Sequence, residues 1–441
     1  MERRRSRVYW RQRRFPLRSH PSGTKKIESN RDSGGGGPLN GIRVVELGSF
    51  IAAPTAGRLL ADFGAEVIKV EKPGQGDQVR GWGARRGSTS MLWRTLGRNK
   101  KSVTIDLHRP EGRRLVKELV SHSHILLENF KPGTLEKWGL GPAVLAELNP
   151  RLITVRISGF GQWGPYSGRA GFGAVAEAMG GIRYLTGNPD RPPTRVGISL
   201  GDSLAGLHAV IGALVALVAQ LRVNQGGFER DAGETVDVAL YEAVFSVMES
   251  LVPDYSAYGI VRERTGSILD SVAPSNIYRC ADRKWVVIAG NSDSIYRRLM
   301  TVLGRKDLAD DPELQTNAGR VRHRDRIDKA IGTETQKRTL AAVMETLVAE
   351  GIPAGPIYSS ADIVADPHFR ARGMVEVHPV EVEPGRKEDV LFPSVVPKLT
   401  NSPGEVRWVG PALGAHTDEI LTSVLGIEPT ELAELHQSGV I

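Results

Sequence analysis

The sequence predicts an α/β protein, a Rossmann-like large domain with a mostly parallel sheet joined to a smaller α+β domain. Three observations carry that expectation. From Pro38 onward, short apolar runs alternate with helical periodicity; residues 204–221 then form a run of 18 without a charge; beyond it the pattern turns to helices around a hairpin.

The elements follow in order. Residues 41–47, GIRVVEL, read as a strand, 53–63 as a helix with Pro54 in its first turn, and 65–70, AEVIKV, as the next strand. Together they make a βαβ unit. A strand over 102–107 leads into a helix over 110–120, and further strands are expected at 124–130 and 152–158. Sheets built this way bind ligands outside the carboxyl ends of their strands, so a site is expected there. Residues 159–164, GFGQWG, match G-x-G-x-x-G in form, but Pro165-Tyr166-Ser167-Gly168 continues the loop where a dinucleotide fingerprint should open a helix. A ligand-facing loop is expected, without a nicotinamide.

Within 204–221, Leu204, Leu207, Ile211, Leu214, Val215, Val218 and Leu221 recur at helical spacing, and alanines fill much of the rest. A helix apolar on most sides belongs to a large core or to lipid. This one falls slightly short of a bilayer core, carries His208 and has no companion span, so a buried core helix and no membrane are expected. Residues 236–252 read as helix, 277–280 and 285–289 as a hairpin, 294–303 and 337–350 as helices, and the Pro-rich remainder as loop up to a last helix at 418–425. The expected division is a basic extension over 1–37, the N-terminal part of a large domain over 38–225, a linker helix and small domain over 226–345, and a return to the large domain over 346–441.

Charge narrows the partners. Of 58 Lys and Arg, eleven lie in residues 1–33, against three of the 50 Asp and Glu, so the remaining 47 of each sign balance. No basic surplus is left on the body for nucleic acid. The Arg-rich start is either a mitochondrial transit peptide or a disordered extension. A single cysteine, Cys280, excludes an internal disulfide and fits a reducing compartment, so a cytoplasmic protein is expected unless the transit reading holds. His122 and His124 lack a third ligand in the sequence, and no metal is expected.

Two oxygens compete at residues 197–202, GISLGD. Ser199 sits in a G-x-S-x-G pattern, but a nucleophile elbow needs a strand before it, and Arg191-Pro192-Pro193-Thr194-Arg195 is a poor one. Asp202 reads on local grounds as a helix N-cap. Seven stretches in order change that weighting: PLNGIRVVEL, ADFGAEVIKVEKPGQGD, GRNKKSVTIDL, LLENFKPGTLEKWGL, NPRLITVRISGFGQWGPY, VGISLGDSLAGLHAVIGALVAL and GAHTDEIL. With them nearly the whole chain resembles the type III CoA-transferases, whose members include formyl-CoA transferase, succinyl-CoA:glutarate CoA-transferase and α-methylacyl-CoA racemase.

The resemblance implies that Asp202 is the catalytic residue. It also implies that Ile51, Ala52, Lys72, Ile105, Asp106, Leu107, His108, Asn129, Phe130, Lys131 and Lys137 line coenzyme A, and that Arg169 and Phe172 belong to the same site. On residue type alone each lysine is a solvated surface group. Coenzyme A thioester is implied as a co-substrate, with no resident cofactor, and the partners are an acyl-CoA, a small carboxylic acid and a second copy in an intertwined, ring-like homodimer. Two departures bear on the branch. The racemases place a histidine thirty residues before the aspartate, where this chain has Phe172, and the Gly-rich small-domain loop of formyl-CoA transferase is replaced by Ser275-Asn276. Succinate, glutarate or malate are the expected acids.

Overall fold

The computed structural model describes residues 36–86, 89–223, 232–383 and 385–441. The basic extension over 1–33 and the boundary at Gln225-Gly226-Gly227 lie outside the described residues. Six strands form the main sheet: β1 (Arg43–Glu46), β2 (Glu66–Glu71), β3 (Lys100–Thr104), β4 (Ile125–Glu128), β5 (Ile153–Ser158) and β6 (Glu234–Ala239). All pair in parallel, in the order β3-β2-β1-β4-β5-β6. That is the doubly wound order, with a crevice between the carboxyl ends of β1 and β4 where the winding reverses.

Both faces of the sheet are covered, so apolar residues on either side of its central strands are buried. Val44, Val67, Ile125 and Val155 pack beneath α1 (Ala52–Asp62) and the long helix α4 (Leu200–Val223). Their neighbours Val45, Ile68 and Leu126 point the other way, toward α2 (Pro110–Ser121) and two C-terminal helices, α6 (Thr417–Leu425) and α7 (Pro429–Gln437). α2 opens with Pro110, whose fixed φ suits a first helical position. A separate core gathers β7 (Ser275–Arg279), β8 (Trp285–Ala289), the short β9 (Ala354–Pro356) and the helices Asp293–Val302, Arg324–Thr335 and Leu340–Ala349. β7 and β8 are the expected antiparallel hairpin.

Three expectations need correction. Residues 236–252 are not one helix: Glu234–Ala239 is the edge strand β6, and helix begins only at α5 (Leu240–Phe245). The alternation Val236, Asp237, Val238 has the two-residue period of a strand, and its pairing with β5 decides the matter. The C-terminal part is also less loop-like than its prolines suggest: β10 (Val375–Glu383) and β11 (Arg386–Pro393) form a long hairpin, and α7, opened by Pro429, follows the helix expected to be the last. Finally, α4 is not buried all round. Its alanines 205, 209, 213 and 216 face the core, while Ile211 and Val215 are 57% and 64% exposed in the single chain. The reason is close approach. A Cβ at Gly206 would stand 2.9 Å from the Ala52 carbonyl oxygen, so only small residues fit against α1 and the bulky ones turn outward. α4 is the one described helix long and apolar enough to cross a membrane, and its small-residue face is packed in the core of this fold.

Candidate active site

The crevice is built from strand ends. β1 runs into Leu47, Gly48, Ser49 and Phe50 before α1 starts at Ala52. Asn129, just past β4, clips this turn across the crevice: its Oδ1 accepts from Ser49 N at 2.7 Å and its Nδ2 donates to Ser49 O at 2.7 Å. A cleft opens beside it, lined by Ser49, Lys72, Ile105–His108, Phe130 and Trp138 among others. Of the residues expected to line coenzyme A, the structure therefore brings Lys72, Ile105, Asp106, Leu107, His108 and Phe130 together. Ile51, the N-cap of α1, and Ala52 in its first turn are buried, and Asn129 acts through the β1 turn. Lys131 and Lys137 are exposed and do not line this cleft. Arg169 stands off it too, its guanidinium stacked 3.5 Å over the Tyr166 ring.

Beneath the cleft lies a buried ionic network that sequence reading did not find. Lys69 Nζ sits 3.1 Å from Glu46 and 2.9 Å from Asp77, and it also donates to the Gly48 carbonyl; Lys100 Nζ reaches Glu46 at 2.7 Å and Pro54 O at 2.8 Å. Burial pulls the Lys69 pKa down, but Asp77, Glu46 and Glu71 outweigh it and hold the ammonium charged. Burial together with the like charge of Lys69 lowers Lys100 to about 8 despite Glu46. The network fastens the loop after β2. Asp77 Oδ1 accepts from Val79 N at 3.0 Å and from Phe50 N at 3.1 Å, and Phe50 takes a left-handed φ of 66°. A phenylalanine held there is costly and persists only where its surroundings fix it. Its ring meets Trp82 at 5.3 Å and, edge-on, Phe172 at 5.9 Å, which leads from the cleft toward Asp202.

Asp202 lies in the first turn of α4, inside the helix and not at its N-cap as the local reading had it. It is the third helical residue, and Ser199 precedes the helix. α3 (Gly173–Met179) packs against this turn. A Cβ at Gly173 would collide with the Asp202 carboxylate, lying 2.7 Å from its Cγ, so glycine is what lets the two elements meet. Burial raises the Asp202 pKa, the buried Glu177 raises it further, and Arg195 and the aspartate's own N–H oppose them, leaving it at about 6. Glu177 pairs with Arg183 at 2.9 Å and accepts from Gly201 N at 3.3 Å. Its part in the site had no signal in the sequence, since it comes from another helix 25 residues away.

The serine reading fails on geometry. No strand leads into Ser199, and among the described residues its hydroxyl has no histidine or carboxylate partner; only its carbonyl is engaged, by Ser203 N at 3.0 Å. The loop over 159–164 opens no helix, with Gly161 and Gly164 at positive φ and Gln162 N donating to Asp237. Among the described residues no cluster of His, Cys, Asp and Glu could hold a metal.

A carboxylate with its pKa lifted toward neutrality, beside the switch point of a doubly wound sheet, marks an enzyme site. Comparison with known proteins says of which kind. Residues 39–417 match CoA-transferase family III, and the chain belongs to that family and is a CoA-transferase. It is 50% identical over 406 residues to the succinyl-CoA–D-citramalate CoA-transferase of Chloroflexus aurantiacus, covering 92% of this chain and 98% of that protein. Identity to the β subunit of that organism's succinyl-CoA–L-malate CoA-transferase is 41%, covering 92% and 98%. The crystal structure of a CAIB/BAIF family protein from Brucella suis superposes with a TM-score of 0.78 at 34% identity, covering 88% of this chain and all of that one.

Proposed function

We propose that the chain moves coenzyme A from succinyl-CoA to a small dicarboxylic acid through covalent intermediates on Asp202. The observation that carries this reading is the Asp202 carboxylate itself, half-buried against Gly173 with its pKa raised to about 6. The relatives whose names specify succinyl-CoA with citramalate or malate support the choice of substrates.

Asp202 Oδ attacks the thioester carbonyl, the C–S bond breaks, and an aspartyl-succinyl anhydride and CoA thiolate result. The thiolate then attacks the aspartyl carbonyl, forming an Asp202–CoA thioester and releasing succinate. The acceptor carboxylate reverses these steps and leaves as the new thioester. No proton has to move, so no serine, histidine and aspartate set is needed. A carboxylate of ordinary pKa displacing a thiolate is uphill by about 4 to 5 units, roughly 6 kcal/mol. An aspartate at about 6 narrows that gap, and binding of the remote nucleotide and pantetheine offsets what is left. Racemisation is disfavoured because Phe172 offers no second acid or base.

The exposed apolar stripe of α4 favours assembly as the homodimer that the family resemblance implies. To test the chemistry, the enzyme is incubated with succinyl-CoA and quenched with hydroxylamine or borohydride, and its peptides are weighed. Modification of Asp202 is expected, and of no other carboxylate. Modification elsewhere, or full transfer by the Asp202→Ala variant, overturns the reading.

A further inference from the structure

We propose that Glu177 is a positioning residue for the Asp202 carboxylate: anchored by Arg183 and by the Gly201 N–H, it fixes the first turn of α4 and stations a second negative charge beside the nucleophile. The inference rests on the reading of Asp202 as nucleophile and adds a residue to it.

The geometry is specific. One face of α3 presents Gly173 and, a turn later, Glu177. Gly173 lets the Asp202 carboxylate lie against the helix, and Glu177 reaches the residue just before it. A Cβ at Gly201 would stand 3.1 Å from Gly173 O and 3.3 Å from Glu177 Cγ, so the contact between helices leaves no room for slack. Glu177 is 1% exposed. A buried carboxylate is retained only where it is paired and hydrogen-bonded, and here both oxygens are used, one on Arg183 and one on an amide at the positive end of a 24-residue helix.

Its effect is electrostatic. Ionisable groups whose charge reaches Asp202 are Glu177 and, with opposite sign, Arg195 from the loop before α4. Those on the other elements packed against α4 are engaged elsewhere: Glu242 on α5 with Tyr241, Asp237 on β6 with Gln162 N, Arg156 on β5 with Glu128, and Asp62 on α1 with Arg98. A fixed charge beside Asp202 makes its oxygens more basic and so better nucleophiles toward a thioester, and stabilises departure of the acid over departure of the aspartate. The substrate's own carboxylate is repelled by the same charge, and Arg195 stands on the opposite side of the balance.

The test reads Asp202 directly and needs no turnover. Full-length wild type, Glu177→Gln, Glu177→Asp and the double variant Glu177→Gln/Arg183→Met are treated with a water-soluble carbodiimide and an amine across pH 4 to 8, and modification of the Asp202 peptide is weighed. The reagent takes the protonated carboxyl, so the pH of half-modification reports its ionisation. We expect a midpoint near 6 in wild type, close to wild type in Glu177→Asp, and lower by about one unit in Glu177→Gln and the double variant. The double variant guards against misfolding around an unpaired Arg183. An unchanged midpoint in both glutamine variants overturns the proposal. Exchange of labelled succinate into succinyl-CoA by wild type tests the reading of function separately, and its failure leaves the midpoint comparison intact.

Discussion

At the scale of single residues, Asp202 is a carboxylate whose setting opposes stability. Burial and Glu177 hold its folded pKa at about 6 against 3.8. The folded chain thus binds the proton more tightly than the unfolded one, and stability falls as pH rises from about 4 to 6 and stays lowered above. With its partial exposure discounted, the penalty is about 1 to 2 kcal/mol. Asp202→Asn is therefore expected to melt a few degrees above wild type at pH 8 and equally with it at pH 4; a lower melting temperature at pH 8 would count against the assigned ionisation. Gly173→Ala makes a complementary prediction. Its new methyl must push the carboxylate aside, and a misplacement of about 1 Å costs on the order of a hundredfold in rate. Initial rates should fall by that factor with a melting temperature shifted only slightly, and an equal loss of both would mean that the glycine serves packing alone. Asp202 was singled out by its surrounding motif, though local rules favoured a cap, and the structure sets it inside the first turn of α4. Glu177 and Phe50 were not legible, because their roles come from a contact between helices and from a left-handed φ that no spacing announces.

Among the elements, those whose pattern is set by local periodicity were read correctly from sequence. β1, α1 and β2 lie within a residue or two of the expected bounds. Where tertiary pairing decides, the reading failed: β6 is a strand because β5 lies beside it, and β10 and β11 hold each other. The ion network under the cleft was equally hidden. Lys69 and Lys100 look like surface residues in IKVEK and RNKKS, and only the fold brings both to Glu46. Removing one partner of such a buried set leaves uncompensated charge at a cost of about 3 to 5 kcal/mol. Lys69→Met should lose that much in urea unfolding, whereas Lys131→Met at the surface should lose less than about 0.5 kcal/mol. Similar losses in the two variants would deny the network its role in holding the β1 turn and Phe50.

For the whole molecule, the order 3-2-1-4-5-6 explains why residues from four distant stretches of sequence meet at one crevice. The outward stripe of Leu207, Ile211, Val215, Val218 and Leu221 is a continuous apolar row, each residue about half exposed, on one helix. If that stripe is the contact between two copies, Ile211→Asp/Val215→Asp should sediment as a monomer where wild type sediments as a dimer; a wild type that is monomeric at micromolar concentration contradicts the assembly. The central claim is narrower. It is tested most directly by supplying an acceptor acid whose carboxylate carries heavy oxygen, allowing turnover with unlabelled succinyl-CoA, and weighing the peptide that contains Asp202. In the anhydride route one Asp202 oxygen leaves on succinate and the bridging oxygen of the acceptor takes its place, so over successive cycles the peptide should gain heavy oxygen up to two atoms; a peptide of unchanged mass after many turnovers would mean that coenzyme A passes between acids without ever residing on this side chain.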